Sequence, residues 1–191
     1  MPHKNHTQNI AGATLVALLT LFPGSAAKHD RNQHDAIVHG VVDESRLARE
    51  VRHQLLMLPY YGVFDDLSFL VDGGTVTLLG AVTRPTLKSD AEGVVKRIEG
   101  VERVINQIEV LPLSPMDDRI RMAEYRAIYG DPVLSTRYGF RALPSIHIIV
   151  KNGNVTLEGI VANKGDKDLI NVRANAVPGV FGVTNNLRVE G

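Results

Sequence analysis

The stretch Val71-Asp-Gly-Gly-Thr-Val-Thr-Leu-Leu-Gly80 returns as Val150-Lys-Asn-Gly-Asn-Val-Thr-Leu-Glu-Gly159, and the same offset of 79 residues carries the match without a gap to Val110 and Val189. Val76, Thr77, Leu78, Gly80, Val82, Gly100, Val104 and Asn106 are identical in the two copies. An internal duplication of this kind sets the architecture before any local signal does. Each copy reads as a β-hairpin, because Gly73-Gly74 or Asn152-Gly153, pairs able to take positive φ, sit between runs whose apolar residues alternate. Leu67, Phe69 and Val71 share a face with Val76, Leu78 and Val82, as do Ile146, Ile148 and Val150 with Val155, Leu157 and Val161. Thr75, Thr77, Asn154, Thr156 and Glu158 fall on the other face, expected to meet water. Gly80 and Gly159 interrupt the inward row at the same place, which points to a bulge or to close approach of another element.

Outward from the hairpins, helical period takes over. Asp43-Glu44-Ser45 opens a helix with Leu47, Val51 and Leu55 on one stripe, and Pro59 ends it. After the hairpin, Arg84-Pro85 turns into a second helix that buries Leu87, Ala91, Val94, Val95 and Ile98; Gly100 follows it, and Val104, Ile108 and Val110 alternate in a last strand. In the second copy Asp117-Asp118 precede an apolar period through Ile120, Ala123 or Glu124, and Ile128, which Gly130-Asp-Pro132 should stop. Arg137 to Arg141 then lead through Pro144 into the strand. A helix from about Asp166 buries Ile170, Ala174 and Val177, and Val183, Leu187 and Val189 repeat the last strand. The order α-β-β-α-β therefore occurs twice.

The N-terminus is of another kind. Lys4 precedes Ile10 to Phe22, an uncharged apolar run followed by Pro23-Gly-Ser-Ala-Ala27. This is the pattern of a secretory signal peptide with small residues at its exit, and the run is shorter than the roughly 18–20 residues needed to span a bilayer. The expected organisation is a signal peptide over 1–27, a flexible lead over 28–42, a first domain over 43–111, a linker over 112–116 and a second domain over 117–191. The chain has no cysteine, which excludes disulfides, thiolate catalysis and thiolate metal sites. Its formal net charge of zero argues against a broad nucleic-acid surface. Residues 112–191 carry 10 Lys/Arg against 8 Asp/Glu, so the second copy is the better place to meet an anion.

The Asn-Gly-Asn-Val-Thr-Leu-Glu-Gly turn, the downstream Pro178-Gly-Val and Val183-Thr-Asn-Asn-Leu, and the doubled α-β-β-α-β order resemble the BON domain (bacterial, osmotically induced and nodulation). Two such units behind a signal peptide resemble the exported two-BON proteins of Gram-negative bacteria. The resemblance covers residues 43 to 190. It implies an α+β fold of two small domains, each a three-stranded mixed sheet packed against two helices, in a periplasmic protein tied to phospholipid binding, envelope integrity and stress resistance. It carries no catalytic residues with it.

The residues agree that chemistry is not gathered here. Asp65 and Asp66 are adjacent, so on a strand they point to opposite faces and cannot form an acid/base pair; they read as a solvated strand start. His147 on a strand and His53 on a helix lack local ligand partners. The Gly-rich turns lack the Lys-Ser/Thr and following helix of a phosphate loop. Asn106 and Asn185 recur on the inward face and should hydrogen-bond backbone. No catalytic, cofactor or metal set is expected. What remains is a surface: Arg119, Arg121, Arg126, Arg137 and Arg141 gather near Tyr125, Tyr129 and Tyr138, a mixture suited to a membrane interface. Asp117, Asp118, Glu124 and Asp131 lie among them and oppose it. The candidate contact with anionic lipid is therefore Arg121, Arg126, Arg137, Tyr138 and Arg141. The alternative partner is a polypeptide client in the envelope, held along a sheet edge as a chaperone or assembly subunit would hold it.

Overall fold

A computed structural model describes residues 35–36, in backbone only, and 45–191. The expected signal peptide and most of the lead lie outside the described residues. Each half builds its own sheet around a hairpin. In the first half α1 (Arg46–Leu56) is followed by β2 (Asp66–Asp72), β3 (Thr75–Val82), α2 (Pro85–Val95), β4 (Arg103–Asn106) and β5 (Glu109–Val110), and β1 (Asp35–Ala36) joins from the lead. β3 is central, antiparallel to β2 and parallel to β4 and β5. The second half repeats this with α3 (Pro115–Tyr129), α4 (Pro132–Tyr138), β6 (Ile146–Lys151), β7 (Asn154–Val161), α5 (Lys164–Asn175), β8 (Gly182–Asn185) and β9 (Arg188–Val189).

The alternating pattern does what the hairpin reading requires. Leu67, Phe69, Val76, Leu78 and Val82 pack with Val51, Leu55, Leu87 and Ala91 in one core, and Ile146, Ile148, Val155, Leu157 and Val161 pack with Ile120, Ile128, Ile170 and Ala174 in the other. Gly80 and Gly159 are at positive φ, and a Cβ there would lie 2.2 Å from the Asp66 carbonyl oxygen and 2.1 Å from that of Ser145. The neighbouring strand's backbone is the close element.

Each half is the expected mixed sheet with helices against it, and three details go beyond that expectation. The last strand of each half is split, because Asn106 and Asn185 turn their amides inward to donate to the Lys88 and Lys167 carbonyls, at 2.9 and 3.2 Å, while their Oδ1 atoms accept from Ile108 and Leu187 N–H. The lead is not wholly irregular: Asp35 and Ala36 pair with Phe69 and Ser68 on the outer edge of β2. Finally, Gly130-Asp-Pro132 ends one helix and starts another. Asp131 caps α4 by accepting from Val133 and Leu134 N–H at 2.9 and 3.2 Å, with Pro132 in the first turn, where its missing N–H costs nothing.

The halves meet through a loop of the first and a strand of the second. Val63 carbonyl accepts from Ile148 N–H at 2.8 Å, capping the outer edge of β6. Tyr61 lies over one face of that strand, stacked on His147 at 5.4 Å, while Val63 and Phe64 join the second core from the other side, Phe64 edge-on to Tyr125. Lys151 at the end of β6 pairs with Glu109 on β5. Sequence alternation puts His147 toward water, yet it is buried because this loop crosses its face; its Nδ1 meets the Gly62 carbonyl at 3.2 Å and its Nε2 the Tyr61 hydroxyl at 3.4 Å. Burial lowers its pKa despite the bond to Gly62. Asp65 is likewise no solvated strand start. It is buried, accepting from Thr83 N–H and Oγ1 and from Gly62 N–H, and so fixes the loop to the hairpin.

Candidate functional site

The helices that open the two halves show how the second one is built as a surface. Buried Ala48, Val51 and Leu55 on α1 have the same spacing as buried Asp117, Ile120 and Glu124 on α3. In this register Glu124 occupies the place of Leu55, fully buried and with neither carboxylate oxygen hydrogen-bonded among the described residues. Burial pushes its carboxyl up to about 8. Asp117 is also internal: its carboxylate accepts from Asn152 and Gly153 N–H at 2.9 and 2.8 Å and so holds the hairpin turn. Asp131 pairs with Arg173 at 2.7 Å. Although burial works the other way, the Leu134 and Val133 N–H groups and Arg173 hold its carboxyl below the usual range.

Three of the four acids that opposed a basic surface therefore point away from water. Asp118 remains outside and is paired with Arg121. The open face of α3 is left with Met116, Arg119, Met122, Tyr125 and Arg126, all exposed. Tyr125 stacks on Tyr129 at 5.0 Å, and the Tyr129 hydroxyl donates to the Ile146 carbonyl at 2.6 Å, which ties this face to the sheet edge.

The five residues expected to form one lipid contact are not brought together as a single surface. Arg126 stays on the open face of α3. Arg121 is buried and donates to the Val150 carbonyl at 2.8 Å, because its position in the helix faces β6. Tyr138 is buried, donating to Asp166 Oδ2 at 2.6 Å and accepting from Ala162 N–H at 2.9 Å. Arg137 pairs with the other oxygen of Asp166. These two fasten α4 onto α5. Arg141 is exposed in the loop after α4, its guanidinium 5.8 Å from the Tyr138 ring centre, next to Phe140, which is 89% exposed. The residues that sequence reading passed over are Met116 and Met122; their spacing with Arg119 and Arg126, three or four apart, was the available signal.

Among the described residues no group of three His, Asp or Glu side chains is placed to hold a metal ion, and no helix is long and apolar enough to cross a membrane.

Comparison with known proteins gives a family match in both halves. The model of the BON domain matches residues 43–112 and 138–191. The second match begins at the end of α4 and omits α3. The stretch from Gly130 to Gly139 carries α4 and lengthens the path from first helix to hairpin relative to the first half. No curated protein matches the chain. Among solved structures, the C-terminal domain of CdsD, a structural protein of the type III secretion system of Chlamydia trachomatis, is similar at 15% identity and a TM-score of 0.28, over 78% of this chain and 100% of that one. A second CdsD structure from that organism is similar at 13% identity and a TM-score of 0.28, over 75% of this chain and 92% of the other.

Proposed function

Because the chain belongs to the BON domain family, whose domains occur in envelope proteins and are generally non-enzymatic, we propose that it works by contact in the periplasm and that its second half meets anionic phospholipid through the open face of α3. The observation that carries this reading is the sorting of charge on that helix. Asp117 and Glu124 turn inward, Asp118 is paired, and Arg119 and Arg126 are left outside between Met116, Met122 and Tyr125. Arg near an anionic surface contributes about 1 kcal/mol each. Methionine and tyrosine beside it supply apolar area that can enter the headgroup region, with the tyrosine hydroxyl at its wet side. Roles in envelope integrity and in resistance to osmotic stress follow from such a contact.

Sedimentation with anionic and with neutral vesicles, at low and high salt, tests it. The expected result is binding to anionic vesicles that salt weakens, and that Arg119→Glu with Arg126→Glu reduces by about 30-fold or more, since each reversal removes an attraction and adds a repulsion. Equal failure to bind either vesicle rules the reading out. If the protein instead suppresses aggregation of an unfolded envelope client without any affinity for vesicles, the partner is a polypeptide and the chaperone reading takes its place.

A further inference from the structure

The contact between the two halves uses different surfaces on each side, and the duplication supplies a counterpart of both. The offset that relates the hairpins also holds at their feet, where the carbonyls of Asp66 and Ser145 lie in the same position against Gly80 and Gly159. Counted back from there, the loop residues Tyr61, Val63 and Phe64 correspond to Phe140, Ala142 and Leu143. The strand that receives the loop corresponds as well: His147, Ile148 and Lys151 on β6 match Ser68, Phe69 and Asp72 on β2.

Within one molecule the first set is engaged; of the second, the loop is open and the strand edge carries only the two-residue β1. β6 is buried on both faces from Ile146 to Val150, whereas β2 alternates between buried and half-buried from Asp66 to Leu70. Phe140 is 89% exposed and Leu143 39%. The charges at the contact carry over with their signs exchanged. Glu109 of the loop side pairs with Lys151 of the strand side; their counterparts are Arg188 and Asp72, both exposed and without an ion-pair partner among the described residues. The face that would receive Phe140 is also suited to it. The cross-strand pair under Tyr61 is His147 with Glu158, and its counterpart is Ser68 with Leu79. The like-charged neighbours Asp66 and Glu158 become Ser145 and Leu79, so a repulsion present inside the chain is missing from the second contact.

A contact that joins unlike surfaces does not close on itself by pairing, and its repetition extends an assembly. We propose that the protein self-associates head to tail: the loop Phe140–Leu143 of one molecule seats on β2 of the next, with Arg188 set against Asp72. β1 holds the edge of β2 at Ser68 and Phe69 in the single molecule. The N–H that would meet the Ala142 carbonyl is that of Phe69, so the lead competes with the neighbour, and residues 35–36 must give way as the contact forms.

Sedimentation velocity of the purified protein across a range of concentrations, with charge exchange as the control, tests this. The expected result is a mass that grows with concentration. Asp72→Arg and Arg188→Asp should each move the midpoint up by about three- to tenfold, the effect of turning an exposed ion pair into a repulsion. The double variant, with both charges exchanged, should return to the wild-type midpoint, a recovery that misfolding cannot mimic. Phe140→Ser should raise the midpoint by about 30-fold, as loss of an aromatic anchor does, with unchanged thermal unfolding because the side chain is exposed. A protein that stays monomeric to about millimolar concentration, an unchanged midpoint in Phe140→Ser, or no recovery in the double variant overturns the proposal. So does a Phe140→Ser variant that loses vesicle binding alone.

Discussion

α1 and α3 open two copies of one fold, and the difference between them is where each keeps its acids. At the position of Leu55 in the first core α3 buries Glu124, and at the position of Glu50, which on α1 faces outward and accepts from Gln54 at 2.8 Å, α3 exposes Arg119. The backbone and the sheet beneath tolerate both arrangements. The two copies share the frame, and the second turns the carboxyls of Asp117 and Glu124 inward, at a cost in stability for Glu124, while its open face carries Arg119 and Arg126 beside Met116, Met122 and Tyr125. The face left open on that helix is the one proposed above to meet lipid.

The comparison breaks most visibly if the buried acid is removed. Glu124→Leu gives α3 the core residue of α1 and should stabilise the protein by on the order of 4 kcal/mol at pH 9. The sign follows from linkage. With its folded pKa raised to about 8 from an ordinary 4.5, the folded state holds the proton more tightly, so wild-type stability falls as pH rises from the unfolded value through the folded one. Urea midpoints at pH 5 and pH 9 should differ strongly in the wild type and little in the variant. Equal pH dependence in the two would show that Glu124 reaches water.

Next in size is the device that the first half lacks. Tyr138→Phe removes the hydroxyl that joins Asp166 to the Ala162 N–H and should lower stability by about 1–3 kcal/mol, with no counterpart in the first half, where no helix stands between α1 and β2. Thermal unfolding measures it. A smaller effect belongs to the junction. The pKa of His147 is lowered by burial, so the stability it contributes is complete above the ordinary histidine pKa and is lost as pH falls through the folded value. Exchange of the Ile148 amide, which is bonded to Val63, should speed up on acidification once the intrinsic rate is divided out. His147→Gln should flatten that response. Least of all, Arg119→Ser and Arg126→Ser should change stability by less than about 0.5 kcal/mol, as exposed positions do, while weakening attachment to anionic vesicles.

Much of this frame could be read from the chain. The 79-residue repeat, the glycines at the strand's closest approach and the inward asparagines all act locally, so their spacing carries their role. What escaped were partners distant in sequence. His147 looks solvent-facing until Tyr61, from the other copy, lies over it. Asp65 looks solvated until Thr83 folds back upon it. Arg121, Arg137 and Tyr138 read as surface because their acceptors, the Val150 carbonyl and Asp166, are supplied by β6 and α5. α4 was legible in principle, since Asp131-Pro132 is a helix start as well as a helix stop. The periodic choice between Ala123 and Glu124 went to the acid, which propensity alone would not select.

The sequence contains no tryptophan, so a single one reports on a single place. Met122→Trp on α3 and His53→Trp on α1 probe matched exposed positions of the two copies. With anionic vesicles at low salt, the emission of the first should shift to the blue and the shift should vanish in high salt, while the second stays unchanged. An equal shift at both positions, or none at either, contradicts the assignment of lipid contact to the second half.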